Sequence, residues 1–161
     1  MNQQDVAAVL AEPLSVELLE SSIPARLAYT GRDGDPRAIP VGYYWTGSRI
    51  LVFTAPKAAK VAALRQNPRV ALTIDTAGLP PRVLLVRGSA ALELVDGVPD
   101  EYVAGSYKLI PDAAQRAAWE QGVRALYTQM VRITITPDWA KLLDFETTIP
   151  KAVADLVAER G

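Results

Sequence analysis

The residues whose types and spacing bear most directly on chemistry lie between Thr54 and Arg65, in the stretch TAPKAAKVAALR. Thr54 is a candidate N-cap, and Pro56 follows where a first helical turn has no use for an N–H. The pattern predicts a helix from Thr54 to Arg65, stopping before Asn67 and Pro68. Lys57 and Lys60 then fall in its first turns. Cations are disfavoured there, because the helix dipole is positive at that end. A bound anion reverses the sign: free N–H groups, a hydroxyl and two ammonium groups would all face it. Lys57 stands four before Val61 and Lys60 four before Leu64, so the lysines extend the apolar stripe. Two readings stay open. Either the pair binds an anion at the rim of the core, or two long side chains snorkel from the edge of an ordinary amphipathic helix.

A second informative stretch is the strand expected from Arg37 to Trp45. Arg37, Ile39, Val41 and Tyr43 share one face; Ala38, Pro40, Gly42 and Tyr44 share the other. Pro40 lacks an N–H, which places the strand at an edge or beside a break in the ladder. Small side chains and free backbone groups there suit a flat ring. An edge strand protected from aggregation by its proline is the plainer alternative. Tyr43, Tyr44, Trp45, Trp119 and Trp139 offer stacking surfaces, although aromatic side chains mostly bury in cores and interfaces. Asp138, Asp144 and Glu146 form no recognisable metal or glycosidase pair and read as a solvated face. Neither G-x-G-x-x-G nor a Walker loop is present.

Composition narrows the classes further. The chain of 161 residues is half hydrophobic and 22% charged, with formal net charge −1, which suits one soluble domain over 1–161. Nothing basic enough for nucleic acid or a membrane surface is present. There is no cysteine and no histidine, so thiol chemistry, the commonest metal ligands and the Ser-His-Asp triad are excluded. No metal site is expected, and no catalytic side chain can be named. An enzyme on this chain would let a cofactor carry the chemistry. The N-terminus has no secretory pattern and no segment is long enough to span a bilayer, so a cytoplasmic setting is expected.

The elements that must position these residues follow from periodicity. A short helix is expected over Gln3–Ala11, closed by Pro13, with a further helical turn over Leu14–Leu19. Strands are expected over Ala25–Thr30, Arg37–Trp45, Arg49–Phe53 and Arg69–Asp75, joined by turns at Gly31–Pro36 and Thr46–Ser48. Arg82–Val95 reads as a long strand with a bulge or bend at Gly88. Helices follow over Pro99–Leu109 and Asp112–Tyr127, then a strand over Met130–Thr136, another over Trp139–Phe145, and a terminal helix opening at Thr148–Pro150. Short turns between the first three strands imply an antiparallel meander. Six or seven strands with peripheral helices make the chain mainly β, a small antiparallel barrel.

The order of these features resembles the pyridoxamine 5′-phosphate oxidase-like family of FMN-binding split β-barrels. The likeness is carried by GDPRAIPVGYYW, RILVFT, PKAAKVAALRQNP, RVALTID and VLLVRGSAAL. It covers Ala25–Val95 well and Met130–Phe145 more loosely. The resemblance implies a homodimer with a flavin in each of two interfacial clefts. It implies that the strand Arg37, Ala38, Ile39, Pro40 and Val41 runs along the isoalloxazine, while Thr54, Lys57 and Lys60 hold the phosphate. Where such proteins often read Ser-Arg-Lys, this chain reads Ala58-Ala59-Lys60, with Lys57 standing in for the arginine from one turn earlier. The cofactor implied is FMN or, as in reductases of this kind, the deazaflavin F-420. The activity implied is hydride transfer between that cofactor and a small organic substrate. Non-catalytic storage or sensing of a flavin or other ligand is the alternative. The true oxidases carry a substrate-site histidine and a C-terminal Trp and Arg pattern. This chain has neither, which argues against oxidation of pyridoxamine phosphate.

Overall fold

The computed structural model describes residues 1–160. Seven strands form one antiparallel sheet: β1 (Ala25–Thr30), β2 (Pro36–Val41), β3 (Tyr44–Trp45), β4 (Ile50–Thr54), β5 (Arg69–Asp75), β6 (Arg82–Asp96) and β7 (Gln129–Asp144). Their order is β2-β1-β5-β6-β7-β4-β3. Six helices surround them: α1 (Gln3–Leu10), α2 (Pro13–Glu20), α3 (Ala59–Gln66), α4 (Asp100–Tyr107), α5 (Ala113–Leu126) and α6 (Lys151–Ala158). This is the antiparallel split barrel with peripheral helices that the sequence led us to expect.

The strand expected from Arg37 to Trp45 is broken, and the break closes the barrel. Its first half, β2, pairs with β1; its second half, β3, pairs with β4 at the opposite edge of the sheet. Only Gly42 and Tyr43 separate the halves, so the chain itself ties the two edges together and the sheet must curl. Pro40 occupies the edge strand, opposite Arg26, where its missing N–H costs no ladder bond to a further strand. Tyr43 turns inward at the break, 4% exposed, and its hydroxyl donates to the Leu18 carbonyl at 3.1 Å.

The two longest strands, β6 and β7, form the back of the barrel. Their register shifts at Arg87 and Gly88: Arg87 faces Trp139, but Gly88 faces Pro137, leaving Asp138 as the extra residue. A Cβ on Gly88 would lie 2.4 Å from the Thr136 carbonyl oxygen, so only glycine admits this approach. The bend expected at Gly88 is therefore a bulge. The strands expected at Met130–Thr136 and Trp139–Phe145 are one, because Pro137 sits at the bulge where an N–H is not needed.

The core inside the barrel is aliphatic: Leu27, Ile50, Leu72, Ile74, Leu84, Ile133 and Ile135 are essentially inaccessible. Helices α1 and α2 seal one side through Val6, Leu10, Leu18 and Leu19. Asn2 and Asp5 start α1 with a reciprocal capping box. A smaller cluster of Val98, Val103 and Met130, with Phe53, Tyr102 and Trp119 packed on it, holds α4 and α5 against the barrel. Among the described residues no helix is long and apolar enough to cross a membrane.

Candidate functional site

The helix expected at Thr54–Arg65 starts five residues later, at Ala59. Thr54 is the last residue of β4, not an N-cap. The reason is local. Ala55 precedes a proline and is pushed away from helical dihedrals. Pro56 and Lys57 then occupy the centre of a β-turn closed by the Ala58 N–H donating to the Ala55 carbonyl at 3.0 Å. Lys57 therefore lies before the helix, whereas Lys60 lies in its first turn. The buried stripe is as expected: Val61 is 2% and Leu64 1% exposed.

The N-cap of α3 is Ala58, and no side chain caps the helix. An alanine at this position forgoes roughly 0.5–2 kcal/mol relative to a capping residue. The first-turn amides are thus left without the usual side-chain acceptor. Beside them, the Lys60 ammonium donates to Thr54 Oγ1 at 3.1 Å. Thr54 and Lys60 are thus joined by a strand-to-helix contact, and Thr54 does not cap the helix. Lys60 is half-buried, and burial pushes its pKa below the ordinary lysine value. Among the described residues it has no carboxylate partner. A half-buried cation and a hydroxyl are in contact here, and the cation sits in the first turn of a helix with no side-chain cap; donors of these kinds suit an anion.

Lys60 stands at the edge of a cleft of about 480 Å³. Pro40, Val41 and Gly42 line it from the end of β2, and Val52 and Phe53 from β4. The opposite wall comes from α4, the segment after it, and α5: Glu101, Tyr102, Ser106, Leu109, Ile110 and Trp119. The aromatic rings support one another. Phe53 meets Tyr102 edge-on at 5.8 Å, and Tyr102 lies 5.7 Å from Trp119. Helix α4 is pressed onto the break in the barrel strand, since a Cβ on Gly105 would come within 2.7 Å of the Tyr43 carbonyl oxygen. Arg132 steadies the rim, pairing with Glu93 at 3.1 Å and reaching Glu101 at 3.8 Å. Such a size and lining belong to small-molecule sites.

The remaining residues singled out in the sequence divide around this cleft. Ala38 and Pro40 are exposed on β2, while Arg37 and Ile39 are half-buried on its other face. Strand β2 hydrogen-bonds to β1 alone, so its outer backbone edge is open. Lys57 and Arg37 line a different cleft, together with Ala58 and Ala59 at the α3 start. Of the aromatic candidates, Tyr44 and Trp119 line the first cleft, as does Tyr43 alongside its place in the core. Trp45 packs against the core, and Trp139 lies under the Arg87 guanidinium at 4.1 Å. Asp138 pairs with Arg69, and Glu146 with Arg82, on the solvated face expected for them. Apart from Trp119, the wall from α4 and α5 was not foreseen. Tyr102, Ser106 and Leu109 do stand at i, i+4 and i+7, a spacing that puts them on one face but does not say what that face covers.

Comparison with known proteins places this geometry among relatives. A family model described as pyridoxamine 5′-phosphate oxidase matches residues 12–136. No curated protein matches the chain. Among solved structures, an F-420 reductase aligns with TM-score 0.61 at 23% identity, covering 78% of this chain and 94% of its own. An FAD-binding protein from Mesorhizobium loti aligns with TM-score 0.51 at 21% identity, covering 79% and 89%. The heme storage protein HutZ from Vibrio cholerae aligns with TM-score 0.57 at 15% identity, covering 82% and 92%. At these identities the likeness is one of fold.

Proposed function

The chain belongs to the pyridoxamine 5′-phosphate oxidase family, and from that premise we propose that it binds a flavin and transfers hydride between it and a small organic substrate. The observation that carries the proposal is Lys60: a half-buried cation, without a carboxylate partner among the described residues, at an uncapped helix start on the edge of an aromatic-walled cleft. The cofactor is FMN or the deazaflavin F-420; both present a phosphate to the same donors. The structural relatives include both a reductase named for F-420 and a protein named for FAD, which supports the flavin class. A heme ligand suits the chain poorly, because it has neither histidine nor cysteine to offer the iron.

In this reading Lys60, Thr54 and the first-turn amides of α3 hold the phosphate. The open outer edge and small side chains of β2, at Ala38 and Pro40, border the ring, with Ile39 and Val41 fixing the strand to the barrel from its other face. Arg37 and Lys57 add positive potential from behind the helix start. Bound FMN would supply hydride chemistry at N5, and bound F-420 at C5, the carbon that replaces N5 in a deazaflavin. The protein supplies binding, orientation and a water-poor wall, built from Phe53, Tyr102 and Trp119. The free edge of β2 supports a dimer, in which a second copy covers the exposed face of each cleft and the whole chain acts as one domain. Sedimentation at micromolar concentration tests the dimer, and a monomer there contradicts it.

Turnover tests the activity. Protein loaded with FMN plus NAD(P)H, or given reduced F-420, is offered a panel of enones and quinones. The expected result is substrate-dependent oxidation of the reduced cofactor. Tight binding with no turnover across the panel would instead assign storage or sensing of the flavin.

A further inference from the structure

Helix α4 carries chemistry on its cleft-lining residues that the phosphate site leaves unused. The lining of the aromatic cleft holds two charged side chains among the described residues, Lys60 and Glu101. Lys60 stands at the edge assigned to the phosphate. On the α4 side the charge is therefore that of the Glu101 carboxylate. Its cationic neighbour is Arg132, and that contact is long, 3.8 Å, while Arg132 pairs more closely with Glu93 at 3.1 Å. A ligand group bearing negative charge meets repulsion here. Tyr102 and Ser106 follow on α4, one turn apart, and both line the cleft. Neither hydroxyl has a hydrogen-bond partner among the described residues. The Tyr102 ring is held by Phe53, edge-on at 5.8 Å, and by Trp119 at 5.7 Å. Burial, with a smaller contribution from Tyr127, pushes the Tyr102 pKa above the ordinary tyrosine value, so its hydroxyl stays a donor at neutral pH. Leu109 and Ile110 make the adjoining lining apolar. Two hydroxyl donors, an apolar surround and one carboxylate call for a flat, uncharged ligand that brings an acceptor oxygen.

We propose that the α4 wall binds the substrate, and that this substrate is an uncharged conjugated carbonyl compound of the enone or quinone class, whose oxygen accepts from Tyr102 and Ser106. Glu101 excludes carboxylates, sulfonates and phosphate esters from the same place. The assignment of the bound molecule as a substrate rests on the flavin reading above and narrows it. Hydroxyls in an apolar wall discriminate by what they are denied: a hydrocarbon of the same shape covers them and leaves them unpaired, whereas a carbonyl oxygen satisfies them.

The test is calorimetric titration of the FMN-loaded, oxidised protein, which without a reductant binds its ligands and turns none over. The chain has no cysteine, so a quinone meets no thiol. The probes are menadione, methylnaphthalene (the same rings without a carbonyl) and naphthoquinone sulfonate. Tyr102→Phe/Ser106→Ala is expected to lose about tenfold in menadione affinity while its affinity for methylnaphthalene stays that of wild type. Glu101→Gln is expected to gain about threefold or more in affinity for the sulfonate and to leave menadione unchanged. Absence of menadione binding to wild type, no loss in the double variant, or an equal loss for menadione and the hydrocarbon overturns the proposal. An unchanged sulfonate affinity in Glu101→Gln overturns the restriction to uncharged substrates. The removed hydroxyls hold no other protein group, so the ligand-free melting temperature of the double variant should match that of wild type; if the variant does not fold, Tyr102→Phe and Ser106→Ala are titrated singly. Wild type that binds FMN but not menadione sinks this proposal and leaves the flavin reading standing. Wild type that does not bind FMN sinks the flavin reading, and the same titrations on ligand-free protein then decide the carbonyl site.

Discussion

Replacing Lys60 by methionine separates binding from folding at the proposed phosphate site. Methionine keeps the stem length and removes the charge. In the ligand-free protein Lys60 makes one hydrogen bond, to Thr54 Oγ1 at 3.1 Å, and has no ionic partner among the described residues. Its half-buried charge is therefore a burden on folding, and burial holds its pKa below 10.5. Between that depressed value and 10.5 the unfolded chain binds a proton that the folded chain has released. Stability of wild type should therefore rise with pH across this window, and Lys60→Met should lack that increment. The ligand-free melting temperature of the variant should equal or exceed that of wild type at neutral pH. Binding should go the other way. A charge-assisted bond from ammonium to phosphate contributes about 2 kcal/mol, so FMN affinity should fall by about thirtyfold. Wild-type affinity should itself decline as pH rises through the lysine's folded-state pKa. Differential scanning fluorimetry and a fluorescence titration read the two quantities. Unchanged FMN affinity, or a variant markedly less stable than wild type without ligand, would refute the reasoning.

Three further substitutions test the scaffold around the cleft. Gly105→Ala places a Cβ 2.7 Å from the Tyr43 carbonyl oxygen; α4 must shift, lowering stability by about 1–3 kcal/mol and weakening flavin binding, both visible in a ligand-dependent melt. Gly88→Ala meets the Thr136 carbonyl oxygen at 2.4 Å and should cost about 1–3 kcal/mol or more in urea unfolding, with flavin affinity unaltered in the folded fraction. Tyr43→Phe removes the hydroxyl bond to Leu18, but the Leu18 carbonyl keeps the Ser21 hydroxyl at 2.7 Å. The loss should therefore stay near about 1 kcal/mol, and a much larger one would mean that Tyr43 also holds α4.

The barrel was legible because its signals are local. Alternation marks the strands, turn residues mark the hairpins, and Gly88 marks the bulge. Pro40 declared an edge strand, and the structure puts it there. Other features escaped because they depend on where distant segments meet. The break at Gly42 and Tyr43 looks like continuous alternation in sequence, yet it sends the two halves of one strand to opposite edges of the sheet. The helix was started too early because Thr54 and Pro56 satisfy N-terminal preferences that a strand end and a β-turn satisfy equally well. That shift matters for function, since it moves Lys57 out of the helix and into a different cleft from Lys60. The wall from α4 and α5 could be read as a helix face, but no local pattern says that it lies over Phe53 and the end of β2.

The most direct test of the central claim is equilibrium titration of ligand-free wild-type protein with FMN, and separately with deazaflavin F-420, followed by cofactor absorbance and tryptophan fluorescence. The account predicts saturable binding of at least one of the two, with quenching of Trp119 in the cleft wall. Failure of both cofactors to bind would contradict it.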